Sequence, residues 1–111
     1  MPQVATASTL DYLPAVIERI VRQFDPVRII LFGSHARGDA RWDSDLDLLV
    51  VLREAPDRRK AAVEVARVLN GLPISTDVIV TTPEHLAEYG HVNGLIYRDA
   101  LEEGRVVYDH D

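Results

Sequence analysis

The sequence predicts a small mixed α/β (α+β) fold: one mixed β-sheet with helices packed against it. Three short apolar runs, Val27–Phe32, Leu48–Leu52 and Ile74–Val80, are rich in β-branched residues and flanked by proline, glycine or charged residues, as buried strands are. Between and before them apolar residues recur at helical spacing, first at Leu10, Leu13, Ile17, Ile20, Val21 and Phe24, then at Ala61, Ala62, Val65, Val68 and Leu69. The chain has 111 residues, 47% of them hydrophobic and 27% charged, enough for one domain (1–111) with a real core and no room for a second.

The elements follow in chain order. Met1–Ala7 carries no pattern and is expected to be loose. The first helix runs from about Thr9 to Phe24. Pro14 must lie in its first turn, where the missing N–H costs nothing, so the N-cap falls within Thr9–Asp11. Glu18, Arg19, Arg22 and Gln23 form its solvated face. Asp25-Pro26 ends this helix and launches the first strand, Val27–Phe32. Gly33 then turns the chain, and Ser34 caps a short helical turn, Ser34–Arg37, closed by Gly38.

The second strand is read as Asp45–Leu52. After the loop Arg53–Asp57, Pro56 starts a helix that Asn70-Gly71 ends. Arg58, Arg59 and Lys60 are either its solvated first turn or a partner contact. Pro73 precedes the third strand, Ile74–Val80. Asp77 lies near its centre, and the neighbours Val78, Ile79 and Val80 read as an internal strand. Thr82-Pro83-Glu84 starts a short helix that Gly90, Asn93 and Gly94 interrupt. Leu95–Glu103 is a further helix, stopped by Gly104, and Arg105–Tyr108 is a short last strand.

Chemistry concentrates between Gly33 and Asp47. The exposed N–H groups at the Ser34 turn are a natural seat for phosphate. Ten residues after Ser34 comes Asp45-Leu46-Asp47. Positions i and i+2 of a strand point the same way, so both carboxylates share one face, with Cα atoms about 6–7 Å apart. A divalent cation offsets such repulsion best, and hard oxygen ligands select Mg²⁺ or Mn²⁺. A phosphate turn beside a carboxylate pair implies metal-assisted phosphoryl or nucleotidyl transfer. Arg37 and Arg41 sit near the same loop. Either could neutralise a leaving pyrophosphate, and Arg37 could instead pair at the surface with Asp39 or Asp43. Asp43 reads as loop, while Trp42 and Tyr12 either pack or stack on a base. Asp77 calls for a metal or a distant arginine.

Other chemistries are excluded. There is no cysteine, so neither a disulfide framework nor a thiolate site is available. The four histidines show no zinc spacing, and Ser34 has no triad partners. The net charge of −6 argues against broad binding of nucleic-acid backbones. No basic leader or membrane-length apolar run occurs, which makes the cytoplasm the expected location.

Gly33-Ser34, ten intervening residues and Asp45-x-Asp47 resemble the signature of the DNA polymerase β-type nucleotidyltransferase superfamily. The wider string Gly-Ser-His-Ala-Arg-Gly-Asp, then Ser-Asp-Leu-Asp-Leu-Leu-Val, is similar to its minimal nucleotidyltransferase branch, which includes MntA-like antitoxins paired with HEPN-domain toxins. His35 stands where Tyr, Arg or Lys is commoner. The resemblance implies the nucleotidyltransferase fold, two Mg²⁺ ions held by Asp45, Asp47 and Asp77, and Asp77 as general base. Gly33, Ser34, Arg37 and Arg41 would bind ATP. It further implies transfer of AMP to a tyrosine hydroxyl of a HEPN ribonuclease toxin, with the chain acting as an antitoxin. Two other functions stay open: a non-catalytic antitoxin that inhibits by binding alone, and a small-molecule adenylyltransferase of the aminoglycoside type. The acceptor, the number of AMP units added, the base preference and the homo- or hetero-oligomeric state are not legible.

Overall fold

The computed structural model describes residues 8–90 and 96–110. Met1–Ala7, His91, Asn93, Gly94, Leu95 and Asp111, on which some expectations fell, lie outside them. Four strands form one mixed sheet in the order β3-β2-β1-β4: β1 is Arg28–Phe32, β2 Leu46–Val51, β3 Thr76–Thr81 and β4 Arg105–Asp109. The central strand β1 pairs antiparallel with both β2 and β4, whereas β2 and β3 run parallel. The parallel pair needs a crossover, which is the helix α3, Arg58–Val68.

Period-two alternation in the central strands feeds two separate cores. Ile29 and Leu31 of β1, with Leu46, Leu48 and Val50 of β2, face the helices α1 (Leu13–Phe24) and α3, through Val16, Ile20, Val65 and Leu69. Ile30 and Phe32, with Leu49, face the other way, onto Tyr97 and Ala100 of α5 (Ile96–Glu103). Both faces are covered, which is why these strands read as continuous apolar runs.

Several boundaries differ from the sequence reading for identifiable reasons. The first helix opens as a 3-10 turn, Thr9–Tyr12, where Ser8 N–H donates to Asp11 Oδ2 at 2.9 Å; the α-helix proper starts at Leu13, with Pro14 in its first turn. Pro56 does not start α3. Asp57 caps it instead, its carboxylate accepting from Lys60 N–H at 3.1 Å. Arg19 is more than solvated surface. Its Nη1 donates to Val68 O at 3.1 Å and Asn70 O at 2.9 Å, satisfying carbonyls at the end of α3 and tying α1 to it. Thr82 caps α4 (Pro83–Tyr89) as expected, accepting from His85 N–H at 3.2 Å.

One correction bears on the site. β3 is an edge strand, not an internal one, and Asp77 is exposed at its second position. Val78, Ile79 and Val80 are apolar because α3 and the α5 side cover the strand's faces, while its outer edge stays open.

Candidate functional site

Where β1 ends, β2 and β3 begin, and the sequence-predicted residues meet at that end of the sheet. Phe32, the last residue of β1, lies opposite Asp47 of β2, and Asp47 lies opposite Asp77 of β3. Neighbouring strands stand about 4.8 Å apart, so Asp47 and Asp77 are side by side on one face. Asp45 precedes the strand by one residue and is exposed; Leu46 between the two acids is buried in the α1–α3 core. The acids thus sit on the α5 face, beyond the apolar Leu49 and Ile30 that close the core there.

The Gly33 turn abuts this row directly. Gly33 has φ +75° and ψ −155°, a combination that residues with a side chain rarely adopt. A Cβ built on it would overlap Asp47 Oδ2 and lie 2.9 Å from Asp47 Cγ. The glycine is therefore needed twice, for its backbone angle and for the space the carboxylate occupies. Helix α2, Ser34–Arg37, follows. Ala36 and Arg37 N–H both return to Gly33 O at 3.1 Å, which leaves the Ser34 and His35 N–H groups outside the turn's own bonding.

Charge is left uncompensated here. Among the described residues none of Asp45, Asp47 and Asp77 forms an ion pair or accepts a side-chain hydrogen bond. Partial burial, and then the Asp77 and Asp45 carboxylates, push the Asp47 carboxyl above its usual range, with His35 and Arg37 pulling weakly the other way. Oxygen-only donors of this kind suit a hard divalent cation. Among the described residues no group of three metal-ligating side chains stands close enough to form a ready-made cage.

The cationic candidates separate. Arg37 pairs with Asp39 at 3.3 Å and with Glu103 of α5 at 3.5 Å, not with Asp43; Asp39 first and Glu103 second keep its guanidinium firmly charged. It remains near enough to Asp47 to be felt there. Arg41 is exposed, and its backbone N–H donates to Ser44 Oγ at 2.8 Å. Trp42, 61% exposed, and Tyr12 line a groove of about 430 Å³ with Asp43 and Leu72–Ser75, at the same end of the sheet as the acids. A larger groove of about 1310 Å³, around Phe24, Leu52–Asp57 and Thr82, lies at the opposite end of β2, so size does not mark the site. The sequence reading noted His35 only as a departure from the family pattern and gave it no role. It is buried, and its Nε2 lies 2.9 Å from Ser44 O. The turn around it is itself polar, with Ser34 and Arg37, so the local sequence carried no signal of its burial.

Known proteins resemble this chain in sequence and in fold. A candidate protein adenylyltransferase of Methanocaldococcus jannaschii is 36% identical over 81 residues, which cover 73% of this chain and 77% of that protein. A second from the same organism is 38% identical over 92 residues, covering 78% of this chain but 61% of the relative. Among solved structures, a candidate nucleotidyltransferase from Sulfolobus solfataricus superposes with a TM-score of 0.64 at 21% identity, covering 90% of this chain and 79% of that one. A toxin–antitoxin complex with AMP-PNP gives 0.56 at 20%, covering 87% and 73%, and a mutant of the toxin–antitoxin MntA–HpeT gives 0.59 at 20%, covering 84% and 70%. At such identities these three speak for the fold alone. The nucleotidyltransferase domain model matches residues 13–107. That match runs from the first residue of α1 to the third of β4 and takes in the whole acid row, so the chain belongs to the nucleotidyltransferase domain family and is an enzyme of the transferase class.

Proposed function

We propose that this chain is a Mg²⁺-dependent protein adenylyltransferase, moving AMP from ATP to a hydroxyl, a tyrosine in the leading reading, of a partner toxin of the HEPN ribonuclease class. It would thereby act as that toxin's antitoxin. The observation that carries the reading is the register of Asp47 against Asp77, with Gly33 packed on the Asp47 carboxylate: a phosphate turn and a row of unpaired acids share one small patch. Support for a protein acceptor comes from relatives named as protein adenylyltransferases, and support for a toxin partner from the toxin–antitoxin complexes that share the fold.

The donor set fits a divalent cation, since it is all carboxylate and, among the described residues, no cationic side chain pairs with it. Asp45 and Asp47 would hold the ions, with Asp77 completing the set on the acceptor side. Bound there, Mg²⁺ would neutralise triphosphate charge and lower the pKa of the attacking hydroxyl. The residues do the rest. Ser34, with its free N–H and hydroxyl, orients the phosphates, and Gly33 lets them approach the backbone. Arg37 and Arg41 offset charge on the departing pyrophosphate. The acceptor oxygen forms a bond to the α-phosphorus, and the bond from that phosphorus to the bridging oxygen of pyrophosphate breaks. Asp77, exposed on the open edge strand, takes the hydroxyl proton.

The test uses ATP labelled at the α-phosphate, Mg²⁺ and the protein encoded beside this chain. Label should move onto that protein with wild-type chain and stay off it with Asp47→Asn. Tight binding of the two proteins without label transfer would overturn catalysis in favour of inhibition by contact, and label on a small-molecule hydroxyl would overturn the protein acceptor.

A further inference from the structure

The β2–β3 ladder holds Asp47 and Asp77, but it does not hold Asp45. The strand begins at Leu46, whose N–H donates to Ser75 O at 2.9 Å, and Asp45 stands just outside it with an exposed side chain. The loop that leads to it, from Asp39 onward, has no regular structure. Trp42 O ties it to the N-terminal 3-10 turn by accepting from Thr9 N–H at 2.9 Å, and Ser44 closes a turn within it. Ser44 N–H donates to Arg41 O at 3.1 Å, and its hydroxyl accepts from Arg41 N–H at 2.8 Å.

His35 grips the peptide group between Ser44 and Asp45. The residue is only 8% exposed, and Nε2 lies 2.9 Å from the Ser44 carbonyl oxygen. A carbonyl can only accept, so Nε2 carries the proton. An apolar side chain would fill the same space at no polar cost, and a buried imidazole is tolerated because this bond is made. The residue before His35 is Ser34, so one buried side chain joins the phosphate turn to Ser44, nine residues further on, and so to the base of Asp45.

We propose that His35 is a positioning residue, whose Nε2–H bond to Ser44 O fixes Asp45 relative to the Gly33–Ser34 turn so that this carboxylate stands ready for a divalent cation. The cation part rests on the function proposed above; the tie itself does not.

Two variants separate the bond from the packing. His35→Gln keeps an N–H donor at nearly the reach of Nε2, and His35→Leu keeps bulk without a donor. Amide exchange at Arg41 and Ser44 reports the loop, with Leu46 as the ladder control, and Mn²⁺ affinity in the presence of a non-hydrolysable ATP analogue reports the site. The Leu variant should exchange faster at Arg41 and Ser44 and bind Mn²⁺ more weakly, each by roughly tenfold, the scale of one lost hydrogen bond, with Leu46 unchanged. The Gln variant should recover most of both. In the wild-type protein, nitrogen-15 shifts should show the proton on Nε2. A ring lacking it overturns the proposal whether or not the Leu variant folds. Wild-type exchange in the Leu variant, or a Gln variant as impaired as the Leu one, also overturns it. If the wild-type protein holds no Mn²⁺, the metal reading falls and the exchange rates alone decide the tie.

Discussion

Replacing Gly33 with alanine adds one methyl group and strikes the site in two ways that can be measured apart. The first is backbone strain. With φ +75° and ψ −155° Gly33 occupies a region that is nearly glycine-only, and holding alanine there costs about 1–3 kcal/mol. The second is overlap of the new Cβ with Asp47 Oδ2, which forces the carboxylate off its rotamer at about 0.5–1.5 kcal/mol. Together they give a loss of roughly 1.5–4.5 kcal/mol, or a melting temperature lower by about 6–18 °C at about 4 °C per kcal/mol. Urea unfolding of Gly33→Ala, Asp47→Ala and the double variant divides the sum. With the carboxylate gone, strain and a 3.2 Å contact with the Cβ of residue 47 remain, so Gly33→Ala should cost about 1 kcal/mol less in the Asp47→Ala background. Calorimetry on the folded single variant should show weakened ATP–Mg²⁺ binding. Strict additivity would refute the contact between turn and acid. Unchanged ATP affinity in a folded Gly33→Ala protein would put the phosphate cradle elsewhere.

Three further outcomes follow from the acid row. Asp47→Asn should raise the melting temperature of the metal-free protein at neutral pH while abolishing transfer. Because the folded-state pKa of Asp47 is raised, the folded chain keeps a proton that the unfolded chain has released between the usual and the raised value. Metal-free stability is therefore lost as pH rises through that window, and the gain from Asn should vanish below the usual carboxylate range. Asp77→Ala, on an exposed edge position, should leave the melting temperature and ATP–Mg²⁺ binding nearly unchanged while transfer collapses; a destabilised but active variant would remove Asp77 from the site. Arg37→Ala should barely alter melting, since its pairs are solvent-exposed, yet weaken ATP–Mg²⁺ binding in calorimetry if the guanidinium serves the phosphates.

Much of this fold was legible because local signals and tertiary demands coincide. The β1 and β2 runs read as buried strands since helices cover both their faces, and Thr82-Pro83 marked a helix start that the Thr82 cap confirms. Asp57 was missed as a cap because Pro56 competes for the same signal one residue earlier. Asp77 was expected near Asp45 and Asp47, and the parallel register puts it opposite Asp47. Its exposure was not legible. Apolar neighbours report covered faces, whereas edge or centre is decided by strand order, which a single run of residues does not encode. The same holds for Arg19 and His35, whose partners lie on the far side of a helix end and of a loop. Arg37 was left between phosphate and a surface pair. Asp39 was within sight of the sequence, but Glu103 comes from the far end of α5.

In the proposed function the Gly33–Ser34 turn and the Asp45, Asp47, Asp77 row move a nucleotidyl group to a partner protein. Two parallel reactions with Mg²⁺ and the adjacent-gene protein test it most directly, one with ATP labelled at the α-phosphate and one with label at the γ-phosphate. Only the α-label should reach the partner, pyrophosphate should appear in equal amount, and Asp47→Asn should abolish both. Transfer of the γ-label, or α-label transfer undiminished in Asp47→Asn, would contradict it.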